Sequence, residues 1–301
     1  MRPSGRRIVL NDTVGLLLNT QKKKAIDLAQ QLIAWGKEQK IRFLLPPHEA
    51  SLLGVPGLSD QEWKKTVPFA VVVGGDGTFL RAGRYVLSHQ IPLYGINVGK
   101  LGFLAAGSPE QAKEDILSIL SGNHRVQSRV LLEGRVLRGE RKVHEVFALN
   151  DLVINKGSFA RVIFIRILVN GEPLSLLPAD GVIVATPTGS TAYALSAGGP
   201  IVPPHVACLI VAPICAHTLY ARPIILGADD IVTIVPEGNF RDLVFSQDGQ
   251  LSYELLPEDR IEIRLSPEKR VQSIFLPGRE YFVLLQQKLC WGQSQTELGG
   301  E

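Results

Sequence analysis

The stretch FAVVVGGDGT, residues 69–78, joins an apolar run to a glycine-rich loop. The run Phe69–Val73 has the length and β-branched content of a buried strand, and residues 79–88 can form a helix. Glycines at the end of a buried strand let the backbone come close to a ligand. Backbone N–H groups in such a loop, followed by a helix N-terminus, bind phosphate oxygens. The stretch therefore predicts a strand, a phosphate-binding turn and a helix.

Asp76 lies inside this loop, where its negative charge repels a phosphate group. A role on a hydroxyl group or on a metal ion explains a carboxylate at this position. The alternative is a tight turn in which Asp76 only caps the following helix. The loop is not a Walker A motif, because no GK[ST] follows it.

Strands and helices alternate through residues 1–125. The predicted strands share a short apolar run and cover residues 14–19, 41–45, 69–73 and 91–96. Apolar residues at helical spacing predict a helix over 22–36, and Ser108 predicts the N-cap of another helix that ends near Gly122. The polar stretch 46–66 predicts a loop. This alternation is typical of an α/β domain with a Rossmann-like parallel sheet.

A different pattern begins after residue 125. The predicted strands are Val-, Ile- and Leu-rich and cover residues 130–137, 143–149, 152–155, 162–169, 181–185, 208–212, 231–235, 243–246 and 261–265. Asn170-Gly171 predicts a hairpin, and Thr191–Ala197 predicts a short helix. We expect a β-rich domain with stacked sheets over 126–275. We also expect a C-terminal segment, 276–301, that returns to the N-terminal domain.

Within that last part of the chain, Ile274–Leu285 predicts one more strand, and residues 293–301 are expected to be frayed.

The composition excludes several classes of protein. The 301 residues carry a net charge of +3, which does not favour a nucleic-acid or anionic membrane partner. The longest apolar run, 206–216, is too short to span a membrane. Three cysteines indicate neither a disulfide framework nor a zinc site, and Asn11 and Asp12 interrupt any signal peptide. We expect a cytoplasmic protein of two domains.

Two further stretches carry polar groups suited to a ligand. The run from Asp180 to Pro200 concentrates small residues, hydroxyls and glycines behind a predicted strand, whereas its alternative is a flexible linker. Asn150-Asp151 offers an amide and a carboxylate that can grip a diol, although such pairs mostly lie in turns. Tyr193 can stack on a flat ring of a ligand, and the alternative for this residue is a position in the core. Asp248 is typical of a hairpin turn. The six histidines show no metal spacing.

In combination, these motifs resemble the NAD kinase family. The matching motifs are GGDGT at 74–78, NVGKLGFL at 97–104, Asn150-Asp151, DGVIVATPTGSTAYALSAGGPI at 180–201 and SQDGQ at 246–250. The resemblance implies ATP-dependent phosphorylation of NAD at the 2′-hydroxyl of its adenosine ribose, which makes NADP. It also implies an α/β domain and a β-rich domain with the site in the cleft between them.

The resemblance assigns roles to individual residues. It makes Asp76 the general base, although a role in orienting the substrate or binding metal stays open. Asn150 and Asp151 would clamp the ribose diol, and Phe103 would lie against the adenine. Further binding residues implied are Gly74, Gly75, Gly77, Thr78, Arg81, Thr188, Ser190, Asp248 and Gln250. Those implied to line the nicotinamide-ribose side and contacts of a neighbouring subunit are Asp180, Thr191, Ala192, Tyr193 and Ser196.

The resemblance also implies Mg²⁺ or another divalent cation carried with ATP, and a homodimer or homotetramer. The cation would be held mainly by the ATP phosphates, and no dedicated metal site of the protein is predicted. Asp151 departs from the family pattern, in which glutamate follows the asparagine, and its carboxylate is one methylene shorter. Whether polyphosphate replaces ATP, and whether NADH is accepted, stays open. The competing functions are a non-catalytic NADP-binding regulator and a lipid or sugar kinase that shares the glycine loop.

Overall fold

A computed structural model describes residues 12–157, 162–238 and 242–289. The chain forms two compact units. The first unit comprises the described residues up to Ser128 and those from Val271 onward, and the second comprises Arg129–Arg270.

Helices and strands have the following bounds. The helices are α1 (Lys23–Gln39), α2 (Pro47–Leu53), α3 (Asp60–Thr66), α4 (Asp76–Val86), α5 (Ala112–Leu120), α6 (Tyr193–Ser196) and α7 (Tyr281–Leu289). The strands are β1 (Thr13–Leu18), β2 (Arg42–Leu44), β3 (Ala70–Gly74), β4 (Leu93–Asn97), β5 (Arg125–Arg138), β6 (Arg141–Ala148), β7 (Asp151–Lys156), β8 (Ile163–Val169), β9 (Glu172–Ala179), β10 (Gly181–Ala185), β11 (Leu209–Ile214), β12 (Ile224–Leu226), β13 (Val232–Glu237), β14 (Leu243–Gln247), β15 (Leu251–Leu255) and β16 (Asp259–Phe275).

The first unit contains a parallel sheet in the order β2-β1-β3-β4, with Ser273 of β16 paired beside Leu93 of β4. The buried residues of β1 and β3 pack with the apolar face of α1 predicted from the sequence. Burial of this face stabilises the unit by the hydrophobic effect, about 25 cal/mol per Å² of apolar surface. The predicted α/β domain with a parallel sheet is confirmed.

Two predictions for this unit are wrong. Residues 46–66 contain α2 and α3 rather than a loop. Pro47 occupies the first turn of α2, and Ser59 and Glu62 form a capping box at the start of α3. Helix α5 begins at Ala112, its N-cap residue is Gln111 rather than Ser108, and no side chain caps its N-terminus.

The second unit is built from two sheets of mainly antiparallel strands. One contains β16-β13-β8-β9, with β5 paired to β16 and β6, and the other has the order β12-β11-β10-β7-β14-β15. Buried apolar residues of both sheets form one core cluster. The predicted β-rich domain with stacked sheets is therefore confirmed. Asn170 and Gly171 have φ of 52° and 85° and form the predicted hairpin between β8 and β9.

The C-terminal segment differs from its prediction. The strand β16 ends at Phe275, and Tyr281–Leu289 is a helix, not the continuation of a strand. Its buried residues, Leu284 and Leu285, are adjacent, whereas successive residues of a strand point to opposite faces of the sheet. The predicted frayed end, 293–301, lies outside the described residues.

Candidate functional site

The glycine loop lies at the topological switch point of the parallel sheet. The chain leaves β1 for β2 on one side and then returns to β3 on the other side of β1. Ligands of open α/β sheets bind at the carboxyl ends of the strands where this reversal occurs. Asn19 follows β1 at this edge, and Gly75 and Asp76 follow β3.

Side-chain hydrogen bonds connect the two strand ends. The Asn19 amide donates to the Thr78 hydroxyl at 3.3 Å, and the Gly75 N–H donates to the same hydroxyl at 3.5 Å. Helix α4 starts immediately at Asp76, and Gly77 is exposed in its first turn. The loop therefore combines an exposed glycine backbone with a helix N-terminus, a combination that favours anions.

The Asp76 carboxylate holds the segment 103–105. Its Oδ2 accepts the Phe103 N–H at 2.9 Å, and its Oδ1 accepts the N–H groups of Leu104 and Ala105 at 3.1 and 3.0 Å. A carboxylate offers about four lone-pair positions, two on each oxygen. One acceptor position on Oδ2 therefore has no donor among the described residues. Asp76 is half-buried, so this position suits a ligand hydroxyl.

Gly102 and Asn97, which the sequence analysis did not single out, complete this arrangement. A Cβ at Gly102 would lie 1.9 Å from the Asp76 Oδ1, so any side chain there displaces the carboxylate. The buried Asn97 accepts the Gly99 N–H and donates to the Lys100 carbonyl, which closes the turn before Gly102. Both residues lie in the stretch 97–104, whose match to the family motif was the only indication of them in the sequence.

Arg81 is engaged by its own unit. It donates to the Leu18 carbonyl at 2.6 Å and lies 3.5 Å from the Glu49 carboxylate. Burial raises the pKa of Glu49, while the Arg81 guanidinium opposes that shift. The predicted role of Arg81 in binding nucleotide stays a prediction, with the guanidinium turned toward β1 and α2.

In the second unit, the Asp248 carboxylate holds the segment 149–151. It accepts the N–H groups of Leu149, Asn150 and Asp151 at 3.3, 2.7 and 3.3 Å. Asp248 has φ of 51° in the turn between β14 and β15, and its own N–H donates to the Asp151 carbonyl. The hairpin expected at Asp248 is present, and its carboxylate also fixes the predicted ribose clamp.

Asp151 is only 4% exposed. Burial, and then the charge of Asp248, raise the pKa of Asp151 to about 7, although the Tyr193 N–H opposes the shift. Buried groups with perturbed pKa values cluster at functional sites. Asn150 beside it is half-buried.

The polar run after β10 packs directly on Asn150. The Thr186 N–H donates to the Asn150 carbonyl at 2.8 Å, and a Cβ at Gly189 would lie 2.1 Å from that oxygen. Thr186 also donates its hydroxyl to Leu149 at 2.6 Å. The structure thus brings the run at 186–193, the Asn150-Asp151 pair and Asp248 together. Thr186 and Gly189 are additions to the predicted set.

Other predicted residues differ in how their polar groups are presented. Ser190 is fully buried, and its hydroxyl donates to the Pro187 and Val202 carbonyls. Thr188 is also buried, with a hydroxyl that lacks a hydrogen-bond partner among the described residues. Tyr193, Ser196 and Gln250 are exposed, whereas Thr191 and Ala192 are half-buried.

Asp180 lies at the opposite end of β10 from this group. Gly181 pairs with Asn155, whereas Ala185 pairs with Asp151, so about four residues of strand, roughly 13 Å, separate the two ends. The Asp180 carboxylate forms a 2.7 Å ion pair with Lys156. Within this unit, the structure does not bring Asp180 to the ribose clamp.

Across the described ranges, no cluster of three or more His, Cys, Asp or Glu side chains has the arrangement of a metal site. None of the described helices combines the length and apolarity that a membrane span needs.

Comparison with known proteins shows the family of this chain. The family models described as ATP-NAD kinase N-terminal domain and ATP-NAD kinase C-terminal domain match residues 57–124 and 149–274. The NAD kinase of Geobacter metallireducens is 41% identical over 88% of this chain and 94% of its own length. The chain belongs to the NAD kinase family. The NAD kinase of Symbiobacterium thermophilum, another family member, is 39% identical over 91% of this chain and 97% of its own length.

Solved structures of the family share the fold. An NAD kinase from Archaeoglobus fulgidus in complex with ATP has a TM-score of 0.73 and 25% identity, covering 92% of this chain and 98% of that one. Yeast NADH kinase complexed with NADH has a TM-score of 0.85, covering 94% of this chain and 88% of that one. Its identity is 23%, so it supports the fold.

Proposed function

We propose that this chain is an NAD kinase that transfers the terminal phosphoryl group of ATP to the 2′-hydroxyl of the adenosine ribose of NAD. The observation that carries the proposal is the Asp76 carboxylate within the glycine loop, whose Oδ2 accepts one N–H and keeps a second acceptor position without a donor among the described residues. Membership of the NAD kinase family and the fold shared with an ATP-bound relative support it.

The proposal gives the first unit the chemistry of transfer. The backbone of the exposed Gly77 and the N-terminus of α4 would hold phosphate oxygens. The Oδ2 atom of Asp76 would accept the proton of the ribose hydroxyl while the oxygen–phosphorus bond forms. A positioned base of this kind contributes about 10²–10⁴-fold to the rate. The rest of the acceleration comes from alignment and charge neutralisation.

The second unit would recognise the dinucleotide. The half-buried Asn150 presents an amide to the ribose, and Asp151, with its pKa raised to about 7, exchanges between donor and acceptor forms near neutral pH. The three N–H groups held by Asp248 fix the direction in which this pair points. Loss of the pair should therefore raise KM for NAD more than it lowers kcat.

The divalent cation would arrive with ATP, held mainly by the nucleotide phosphates. When bound, Mg²⁺ neutralises charge on the transferring phosphoryl group.

The proposal also includes a homo-oligomer and a cytoplasmic location. Leu219 and Tyr220 are 83% and 90% exposed, and Ile225 on the edge strand β12 is half exposed. Exposed large apolar residues occur at protein–protein contacts where they lie together. Light scattering of the purified protein tests the oligomer, and a dilution-independent monomer mass would contradict it.

The deciding experiment is an assay of NADP formation from NAD with Mg-ATP, run in parallel with polyphosphate as donor and NADH as acceptor. We expect NADP and ADP in equal amounts with NAD and ATP. Tight NADP binding without ADP release would instead indicate a non-catalytic regulator. Phosphorylation of a lipid or sugar in place of NAD would indicate a kinase that shares only the glycine loop.

A further inference from the structure

The ring of Phe103 is in contact with the C-terminal helix α7. The Lys288 ammonium lies 4.6 Å from the centre of the Phe103 ring. The Tyr281 ring centre lies 6.4 Å from it, with the two planes inclined by 36°. The first contact is a cation–π interaction, and the second is a tilted aromatic pair.

Both contacts come from one face of α7. Tyr281 and Lys288 are seven residues apart, which is close to two helical turns, so their side chains project on the same side. Leu284 and Leu285 between them are 2% and 5% exposed and attach this side of the helix to the first unit. The two contacts are therefore carried by an anchored helix.

A buried ion pair holds the chain just before α7. Arg279 donates to both oxygens of Asp115, at 2.6 and 2.9 Å, and the Tyr94 hydroxyl donates to the same carboxylate at 2.7 Å. Burial, and then the charge of Asp115, raise the pKa of Tyr94. A bidentate pair between arginine and carboxylate fixes geometry as well as adding energy. Helix α7 thus starts two residues after a fixed point.

Phe103 is consequently held from two directions. Its N–H donates to Asp76, and its ring meets Tyr281 and Lys288. The backbone contact sets where the residue lies, and the ring contacts set how its plane is inclined. Stacking on a flat base depends on that inclination.

We propose that Tyr281 and Lys288 are positioning residues of the nucleotide site, which hold the Phe103 ring in the orientation that stacks on the adenine of NAD. This inference rests on the proposed function and on the contact between Phe103 and adenine that the family resemblance implies. It assigns a role in substrate binding to a helix outside both the glycine loop and the ribose clamp. Because these residues act through Phe103, they affect binding and leave the transfer step unchanged.

Calorimetric titration of NAD into the full chain, together with kcat and KM, tests the proposal. Lys288→Met removes the charge, and we expect the Kd for NAD to rise about two- to fivefold, the range of an exposed cation–π contact. Tyr281→Leu removes the ring pair, with an expected rise of about two- to tenfold. Both variants should keep the wild-type kcat at saturating NAD. The conservative variants Lys288→Arg and Tyr281→Phe keep the cation and the ring, and should bind NAD with the wild-type Kd.

Gln287→Met is the matched control, because Gln287 is exposed on the same helix. An unchanged Kd in both test variants would overturn the positioning role, and a lower Kd would show that α7 competes with adenine. A wild-type chain that binds NAD but forms no NADP would overturn the kinase, and the Kd series would still decide the role of α7. A chain that does not bind NAD would overturn both.

Discussion

Each unit contains a carboxylate that accepts three consecutive backbone N–H groups. Asp76 holds residues 103–105 in the first unit, and Asp248 holds residues 149–151 in the second. A glycine presses against each arrangement, Gly102 against the Asp76 carboxylate and Gly189 against the Asn150 carbonyl. Carboxylates that hold backbone N–H groups in this way order a loop without any regular secondary structure.

The two carboxylates differ in what surrounds them. Asp248 is 8% exposed, and its charge helps raise the pKa of the neighbouring Asp151. Asp76 is half-buried at the start of α4 and keeps an acceptor position on Oδ2. Under the proposed function, the same hydrogen-bond pattern shapes the ribose-binding loop in the second unit, whereas in the first it also presents the oxygen that accepts the proton of the hydroxyl.

The largest expected effect belongs to Asp76→Asn. The amide takes no proton from a hydroxyl, and its NH₂ would face the Phe103 N–H, so we expect kcat to fall about 10²–10⁴-fold. Steady-state NADP formation at saturating NAD and ATP measures it. Turnover close to that of the wild type would remove the functional difference between the two carboxylates.

Gly102→Ala tests whether the position of the Asp76 carboxylate matters. The new Cβ would lie 1.9 Å from Oδ1, and three hydrogen bonds oppose any rotation away from it. The carboxylate has to move away from the new Cβ, and because a misplacement of about 1 Å can cost about 10²-fold in rate, we expect kcat to fall about tenfold or more.

The control for this variant is Gly99→Ala, whose Cβ would meet nothing closer than the Asn97 Oδ1 at 3.6 Å. It should keep the wild-type kcat. Equal kcat values in the two variants would show that turnover does not depend on where the carboxylate lies.

Asp248→Asn tests the corresponding carboxylate in the second unit. The amide keeps one acceptor oxygen and leaves buried N–H groups without a partner, which costs about 1–3 kcal/mol in the free energy of unfolding. We expect KM for NAD to rise and kcat to stay near the wild-type value. Chemical denaturation and initial rates measure the two effects. A kcat loss as large as that of Asp76→Asn would mean that the two carboxylates share one role.

The smallest expected effect is one on stability, and it concerns how the protonation of Asp151 changes with pH. Its pKa rises from 3.8 to about 7 on folding, so between these values the folded state binds the proton that the unfolded state has released. Its contribution to the free energy of unfolding is therefore lost as pH rises from about 4 to 7 and is constant above that.

Asp151→Asn removes this contribution. The free energy of unfolding of the variant minus that of the wild type should therefore increase as pH rises from about 4 to 7. Denaturation at several pH values measures the difference, and Asp242→Asn on the exposed surface is the control. A constant difference between Asp151→Asn and the wild type would contradict the buried, shifted carboxyl.

Much of the fold was predictable because its signals are local. The apolar run at 69–73, the glycines that end it and the helical spacing at 22–36 each specify their own element. The β-rich character of the second unit follows from repeated β-branched runs in the same way, and both parts are confirmed.

The errors arose where short helices resembled other elements. Prolines and glycines in 46–66 favour a loop, yet Pro47 and the Ser59–Glu62 capping box start helices of seven residues. The run YFVLL at 281–285 has the composition of a strand, and only burial of Leu284 and Leu285 on one side distinguishes the helix. Local composition does not carry that tertiary information.

For the site, the sequence located the loops but not their connections. The bonds from Asp248 to residues 149–151 span nearly one hundred positions, and no local pattern predicts them. The importance of Gly102 follows only from its distance to Asp76. The roles of the individual binding residues stay predictions.

A crystal structure of the full chain with bound NAD tests the central claim most directly, through the distance between the Asp76 Oδ2 and the 2′-hydroxyl oxygen of the adenosine ribose. The account predicts a hydrogen bond of about 2.6–3.2 Å, with the 103–105 N–H groups still on the carboxylate. A hydroxyl well beyond hydrogen-bond reach, or one bound by a different acceptor, would contradict it.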